Sequence, residues 1–430
     1  MKTSKTVLII LLCLAGLAAM EGGSVAFHSG GVGPCEGCHS IHNSSQGSGG
    51  SPVPNAYLLR QTDPSSTCLN CHQRAGDIGP TTYHVSTPVN EVLPGIPPKQ
   101  LTPGGDFGWL IKNYIWSSPT GTVMVSRGDR HGHNIVALDY GYDMDGTFTA
   151  APGGSYPADR LACTSCHDPH GKYRRDLNGL ITTTGRPIAN SGSFASSPGP
   201  NLTAAVGAYR LLGGNGYRPK SLIAGLTFIS NPPAAVAPDR PNRSEAVTQT
   251  RVAYGAGMSE WCLNCHPTMH TVTYPGSANL LHPSGNLAKL GLTKTDNYGK
   301  YVRTGELTGL WDTSYLSLVP FEEGTADPAA LKSLATSDVS VVLTGPGPGA
   351  QVMCLTCHRA HASGWDGIMR WNTKTDFIVY NGTYAPAANP EYAQGRTEAE
   401  ARRAYYDRPA STFALNQDTL CNKCHNGVYP

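Results

Sequence analysis

Charged side chains are scarce in this 430-residue chain. Asp, Glu, Lys and Arg together make up 14% of it, and they balance to a formal net charge of only +2. Globular domains usually carry about 25% charged residues. The chain therefore lacks the dense positive surface that nucleic-acid binding uses, and no nucleic-acid partner is expected.

Long apolar runs are also missing, except at the N-terminus. Residues 7–19 form an apolar run behind Lys2 and Lys5, which is typical of a signal peptide and too short to span a membrane comfortably. Small residues at Ser24 and Ala26 favour cleavage after Ala26. Residues 1–26 are therefore predicted to be a signal peptide, and the mature chain, 27–430, is predicted to be secreted.

After removal of that segment, which includes Cys13, no cysteine is left outside a single repeated motif. Twelve cysteines remain, and all lie in six Cys-x-x-Cys-His motifs. Exported cysteines usually form disulfides, and Cys-x-x-Cys pairs can bind zinc, but neither role explains a histidine after every pair. Cys-x-x-Cys-His is the attachment signature of haem c: two thiols bond the porphyrin and the histidine binds its iron.

Six covalent haem c groups with their iron are therefore predicted. The thioether residues are Cys35, Cys38, Cys68, Cys71, Cys163, Cys166, Cys262, Cys265, Cys354, Cys357, Cys421 and Cys424. The proximal iron ligands are His39, His72, His167, His266, His358 and His425.

Nine further histidines compete for the second axial position of each iron. They outnumber the six positions, whereas the methionines, of which Met269 is the best candidate, show no recurring relation to the motifs. Ligation of each iron by two histidines is therefore predicted. The predicted distal ligands are His42, His170, His361, His28, His133 and His282, with His84 and His270 as weaker candidates and His131 as a spare residue.

His42, His170 and His361 each stand three residues after the proximal histidine of an odd-numbered motif. A histidine at that distance is too close to reach the opposite face of its own haem, so each is expected to bind the iron of another haem. The odd-numbered recurrence also predicts two-haem repeats at 27–130, 131–281 and 282–430 within one hexahaem unit.

The backbone is predicted to be irregular, because the chain holds 50 Gly and 33 Pro. The expected fold is a multihaem cytochrome c, mostly irregular coil and turns with short α and 3-10 helices and very little strand, packed around a continuous haem chain. The best helix signal covers 397–406, and short helices are expected to follow several motifs. The predicted role is electron transfer and not enzymatic, because spare histidines leave no iron with an open position.

The sequence resembles the OmcS-type family of hexahaem outer-surface c-type cytochromes, whose members polymerise into extracellular filaments ("microbial nanowires"). The segments that carry the resemblance span nearly the whole mature chain. They are FHSGG at 27–31, CLNCHQ at 68–73, TPGGDFGW at 102–109, GHNIV at 132–136, CHDPHGKYRR at 166–175, GMSEWC at 257–262, FEEGTAD at 321–327, CHRAHASG at 357–364 and CNKCH at 421–425.

The resemblance implies a head-to-tail homopolymer in which His42 binds the fifth haem of the adjacent subunit. It also implies parallel and T-shaped haem neighbours in alternation, upstream periplasmic or outer-membrane cytochromes as donors, and metal oxides or electrodes as acceptors. His170 is then assigned to the first haem and His361 to the third. The alternatives are a monomeric periplasmic or outer-surface electron shuttle and a multihaem reductase.

Overall fold

The structure is a computed structural model that describes residues 35–40, 58–74, 83–222, 225–239, 244–247, 249–269, 282–338 and 340–425. The predicted signal peptide and the candidate ligands His28, His42 and His270 lie outside these ranges. Most of the described chain is coil and turn, with short helices and little strand. The predicted fold class is confirmed.

Helices are short throughout the described ranges. The longest is Gly291–Lys300. The α-helices are α1 Cys35–Cys38, α2 Pro64–His72, α3 Cys163–Cys166, α4 Met258–Cys262, α5 Gly291–Lys300, α6 Pro328–Leu334, α7 Cys354–Cys357, α8 Pro390–Ala393, α9 Glu398–Ala404 and α10 Asn422–His425. The 3-10 helices are Val89–Glu91, Phe107–Ile111, Gly128–Arg130, Leu138–Tyr140, Ala158–Arg160, Tyr209–Leu211, Trp311–Thr313, Asp366–Ile368 and Ala410–Thr412.

The helix predicted at 397–406 is confirmed as α9. The Thr397 side chain accepts from the Glu400 amide, and the Glu400 carboxylate accepts from the Thr397 amide. This capping box satisfies amides that the first turn of a helix otherwise leaves free. The acidic residues Glu398 and Glu400 begin the helix and the basic residues Arg402 and Arg403 end it, as its dipole favours.

Short helices of the described chain lie on the motifs themselves, and each motif shares at least one cysteine with a helix. The amide of the motif histidine donates to the carbonyl of the first cysteine, as from His39 to Cys35 at 2.8 Å and from His167 to Cys163 at 2.9 Å. One α-helical turn thus brings both thiols and the imidazole to one place.

Strands are short and form four small sheets in the described chain. Three of the sheets are antiparallel pairs, β1 with β2, β7 with β8, and β9 with β10. The fourth has the order β4-β3-β6-β5, with β5 and β6 parallel. The strands are β1 Tyr114–Ser117, β2 Val123–Ser126, β3 Arg174–Arg175, β4 Ile181–Thr182, β5 Ile188–Asn190, β6 Ala205–Gly207, β7 Ala234–Val236, β8 Ala253–Ala256, β9 Phe377–Val379 and β10 Gln417–Asp418.

Apolar packing among the described residues is divided among four clusters. The largest contains Trp109, Trp365 and Trp371 and joins the segments after the second and fifth motifs. Another includes Met258 and Met353, the residues that begin α4 and precede α7. Among the described residues, no helix has the length and apolar character needed to cross a bilayer.

Candidate functional site

Eight histidine rings form four facing pairs in the described chain. Their ring centroids lie 6.1 to 6.4 Å apart, and the angles between ring planes run from 9° to 86°. The pairs are His39 with His170, His133 with His266, His167 with His361, and His282 with His425. Each pair joins one motif histidine to one histidine outside the motifs.

These separations fit a metal ion held between two imidazoles. A metal–nitrogen bond of about 2.0 Å on each side puts the two ring centroids about 6 Å apart. Two histidine rings packed directly against each other would approach more closely than that. The four pairs therefore have the spacing that an iron with two axial histidines requires.

The second motif has its own neighbouring histidine, His84, which the sequence ranked among the weaker candidates. His84 is 5% exposed, and its pKa is lowered by burial and by the nearby His72. Tyr83 lies beside both rings, with centroids 5.8 Å from His72 and 4.4 Å from His84. The Nδ1 atom of His72 lies 3.2 Å from the Tyr83 carbonyl oxygen.

The fifth motif differs from the four that have a facing pair. Its histidine, His358, faces no second imidazole among the residues that the structure describes. Its Nδ1 atom donates to the carbonyl of Gly367 at 2.8 Å. The ring is thus oriented like those of His72, His167 and His266, and its Nε2 atom carries the lone pair.

The same carbonyl contact recurs at most of the sites. A carbonyl can only accept, so a ring nitrogen at this distance must carry the proton, and Nε2 then keeps the lone pair that iron needs. His167 donates to Arg210 at 2.7 Å and His266 donates to Pro152 at 2.7 Å. Two non-motif rings make the same contact, His133 with the Ala360 carbonyl at 2.8 Å and His282 with the Pro283 carbonyl at 2.9 Å, whereas Nδ1 of His361 is buried without a partner.

Burial also keeps two of the non-motif imidazoles, those of His133 and His361, neutral. It lowers the pKa of His133 to about 4, with His266 adding to the effect. It lowers the pKa of His361 to about 3, with His167 adding to the effect. A neutral ring is the form that can bind a metal.

The twelve motif thiols are free of disulfides and lie close to one another in chain order. The pKa values of Cys38 and Cys166 are raised by burial first, and then by the neighbouring thiols of Cys71 and Cys265 respectively. Cysteines of successive motifs are neighbours from the first motif to the sixth. Cys68 lies within hydrogen-bonding reach of Cys163, and Cys262 of Cys354. The other neighbouring pairs affect each other's charge only at longer range, and they are Cys38 with Cys71, Cys166 with Cys265, and Cys357 with Cys421.

Two serines that sequence reasoning missed hold neighbouring motif helices together. The amide of Cys163 donates to Ser65 Oγ at 3.1 Å, and the amide of Cys354 donates to Ser259 Oγ at 3.0 Å. Each serine stands three residues before the first cysteine of its own motif. The recurring contact therefore links the second motif to the third and the fourth to the fifth, across the predicted repeat boundaries.

The spare histidine, His131, occupies a different environment. It is 0% exposed, its Nδ1 atom donates to the Trp109 carbonyl at 3.0 Å, and its Nε2 atom lies 2.8 Å from Ser126 Oγ. Both ring nitrogens are thus used within the protein. Asp366 completes this polar cluster, at 3.3 Å from His131 Nε2.

Comparison with known proteins gives one consistent result. No protein-family model matches the chain. The chain is 51% identical to C-type cytochrome OmcS of Geobacter sulfurreducens, over 99% of this chain and 98% of that protein. The cryo-EM structure of the OmcS nanowires from Geobacter sulfurreducens matches with a TM-score of 0.87 and covers 93% of this chain and 100% of that one. The outer membrane cytochrome S filament from the same organism matches with a TM-score of 0.85.

Proposed function

This chain belongs to the family of the c-type cytochrome OmcS, and from that membership we propose how its residues hold the haems and join one subunit to the next. The protein is a filament-forming multihaem c-type cytochrome of extracellular electron transfer, with six covalent haem c groups and their iron. Haem c supplies one-electron redox chemistry when bound.

The proposed axial ligands follow the ring geometry. Five sites are completed within one chain, and the fifth motif is completed by the next subunit. The proposed sets are His39 with His170, His72 with His84, His167 with His361, His266 with His133, His358 with His42 of the adjacent subunit, and His425 with His282. His84 replaces His28 in this assignment, so His28 and His270 are left without an iron.

One observation carries the head-to-tail proposal: His358 faces no second imidazole within the described chain, whereas four other motif histidines do. His42 is too close in sequence to His39 to serve the same iron. A histidine of one subunit that binds the iron of the next makes a heterologous, head-to-tail contact. Repetition of such a contact builds a filament unless the rotation between subunits closes a ring.

We propose an electron-transfer role and no enzymatic one, since two histidines on every iron leave no position for a substrate. The order in which cysteines of successive motifs neighbour one another supports a single path through the subunit. Upstream periplasmic or outer-membrane cytochromes as donors, metal oxides or electrodes as acceptors, and a place on the outer surface are parts of the same proposal. The two-haem repeats remain a prediction.

The test replaces His42 with alanine in the native host. We expect six haems per chain, loss of filaments by electron microscopy, and one high-spin haem in the ferric spectrum. His28→Ala is the matched control, because it removes another N-terminal histidine and should leave filaments and spectrum unchanged. Filaments of normal length from His42→Ala would contradict the proposal and favour a different subunit contact.

A further inference from the structure

Three side-chain oxygens beside the fourth and fifth motifs are buried and accept no hydrogen bond. They are Oε2 of Glu260, Oε2 of Glu322 and Oε1 of Gln351. Glu322 is 0% exposed and Gln351 is 5% exposed. Buried acceptors in folded proteins nearly always have a donor, so three orphaned oxygens in one place indicate a missing partner.

The fold brings the three residues into one ring of contacts. Glu322 and Gln351 exchange backbone hydrogen bonds at 3.0 and 2.8 Å, which puts their side chains on the same face of the bridge. The side-chain Nε2 of Gln351 donates to the backbone carbonyl of Asn286 at 2.8 Å. The backbone amide of Asn286 in turn donates to Glu260 Oε1 at 2.7 Å. The Met258 amide donates to Glu322 Oε1 at 2.6 Å and closes the ring through α4.

The ring holds two carboxylates and no cation. Neither Glu260 nor Glu322 forms an ion pair with a lysine or arginine in the described part of the chain, and the nearby Arg251 is paired with Glu323. Burial raises the pKa of Glu322 to about 7, and the charge of Glu260 adds to this effect.

We propose that Glu260, Glu322 and Gln351 bind a calcium ion. All three free atoms are hard oxygen donors, and the mixture of carboxylates with an amide carbonyl is what calcium accepts in flexible coordination. Calcium takes six to eight ligands, so water completes the shell. Glu260 is only partly buried and Asn286 is exposed, which gives the ion and its water a path from solvent.

The ion ties the fourth motif to the fifth. Glu260 lies on α4 two residues before Cys262, and the amide of Cys354 donates to Ser259 at the same junction. The site uses none of the proposed iron ligands, so this inference goes beyond the proposed function and can fail without it.

The test uses the purified holoprotein, with calcium itself as the probe. We expect one calcium per chain that a chelator removes, a lower Tm after removal, and recovery of the Tm on adding calcium. Glu260→Gln should weaken calcium binding on the order of tenfold, because affinity follows the charge of the ligands. Glu306→Gln is the matched control, since it removes an equal charge from an exposed residue that pairs with Arg303.

Gln351→Met provides a second variant, which removes one ligand without changing the charge and should also weaken binding. Glu322 itself is unsuitable, because it also accepts the Met258 amide at the start of α4. A wild type with no chelator-sensitive calcium, or a Glu260→Gln variant that binds like wild type, would overturn the proposal. A protonated-carboxyl infrared band that calcium leaves unchanged would also overturn it, in favour of a proton shared by the two carboxylates.

Discussion

The imidazole rings of His39 and His170 lie nearly parallel, with 9° between their planes and 6.2 Å between their centroids. His39 belongs to the first motif, whereas His170 stands three residues after the histidine of the third. The fold thus places a histidine that follows one motif opposite the proximal histidine of a different motif. His361, which follows the fifth motif, has the same relationship with His167 of the third, at a centroid distance of 6.4 Å. Each of these rings links two motifs that are distant in sequence.

Replacing His170 with alanine tests this link. We expect six haems per chain, because the thioethers are untouched, and loss of low-spin character at one haem of the six. Ferric absorption and electron paramagnetic resonance measure that change. His131→Gln is the control, since both nitrogens of His131 already have partners within the protein. Six low-spin haems in His170→Ala would show that another group serves the first iron.

His84→Ala tests the ligand of the second haem against His28→Ala. The structure puts His84 close enough to His72 to lower its pKa. We therefore expect one high-spin haem in His84→Ala and none in His28→Ala, read from the same ferric spectra. The reverse result would restore His28 as the ligand and make the burial of His84 a matter of packing alone.

Gly105→Ala should disturb the support of His361. A Cβ atom on Gly105 would lie 1.6 Å from the Ala362 carbonyl oxygen, and the residue has φ +94°. We expect the free energy of unfolding to fall by at least about 2 kcal/mol from clash and backbone strain together. Denaturant unfolding followed by haem absorbance measures it, and the third haem should show some high-spin character.

Gly121→Ala separates strain from clash in that experiment. Gly121 also has a positive φ of +81°, but an added Cβ meets nothing within 4 Å. Its cost should stay near 1 kcal/mol, the usual price of that backbone region for alanine. Equal effects of the two variants would mean that the close approach to Ala362 is relieved at little cost.

Asp366→Asn should lower the free energy of unfolding at neutral pH. Burial alone would raise the pKa of Asp366, but its contacts with His131, Lys374 and Ser126 outweigh burial and hold the pKa below its usual value. This stabilisation is therefore present above the unfolded pKa of about 3.9 and is lost as pH falls through the lower folded pKa. We expect a loss of about 2 kcal/mol at pH 7.

The difference between wild type and Asp366→Asn should shrink as pH falls below about 4, because the aspartate of the unfolded wild type then becomes protonated while that of the folded protein stays ionised until the pH passes its lower pKa. Urea unfolding at several pH values measures this. A difference that stays constant with pH would mean that lost packing, and not lost charge, causes the destabilisation.

The sequence by itself determined the covalent chemistry. Cys-x-x-Cys-His is a local pattern, and one helical turn, as in α3, is enough to bring its three side chains together. The irregular backbone and the capped helix α9 could also be predicted from the sequence, because glycine, proline and capping residues act on the backbone of their immediate neighbours. The sequence also showed that His170 and His361 cannot serve their own motifs, since a spacing of three residues is a local constraint as well.

Only the tertiary structure decided which ring faces which. His133 meets His266, and His84 meets His72, through loops whose lengths follow no common spacing. The orphaned oxygens of Glu322 and Gln351 belong to the same category, because a backbone bridge between distant segments places them. Contacts between segments far apart in sequence depend on the packing of the whole chain. The residue pattern within one segment does not specify where another segment lies.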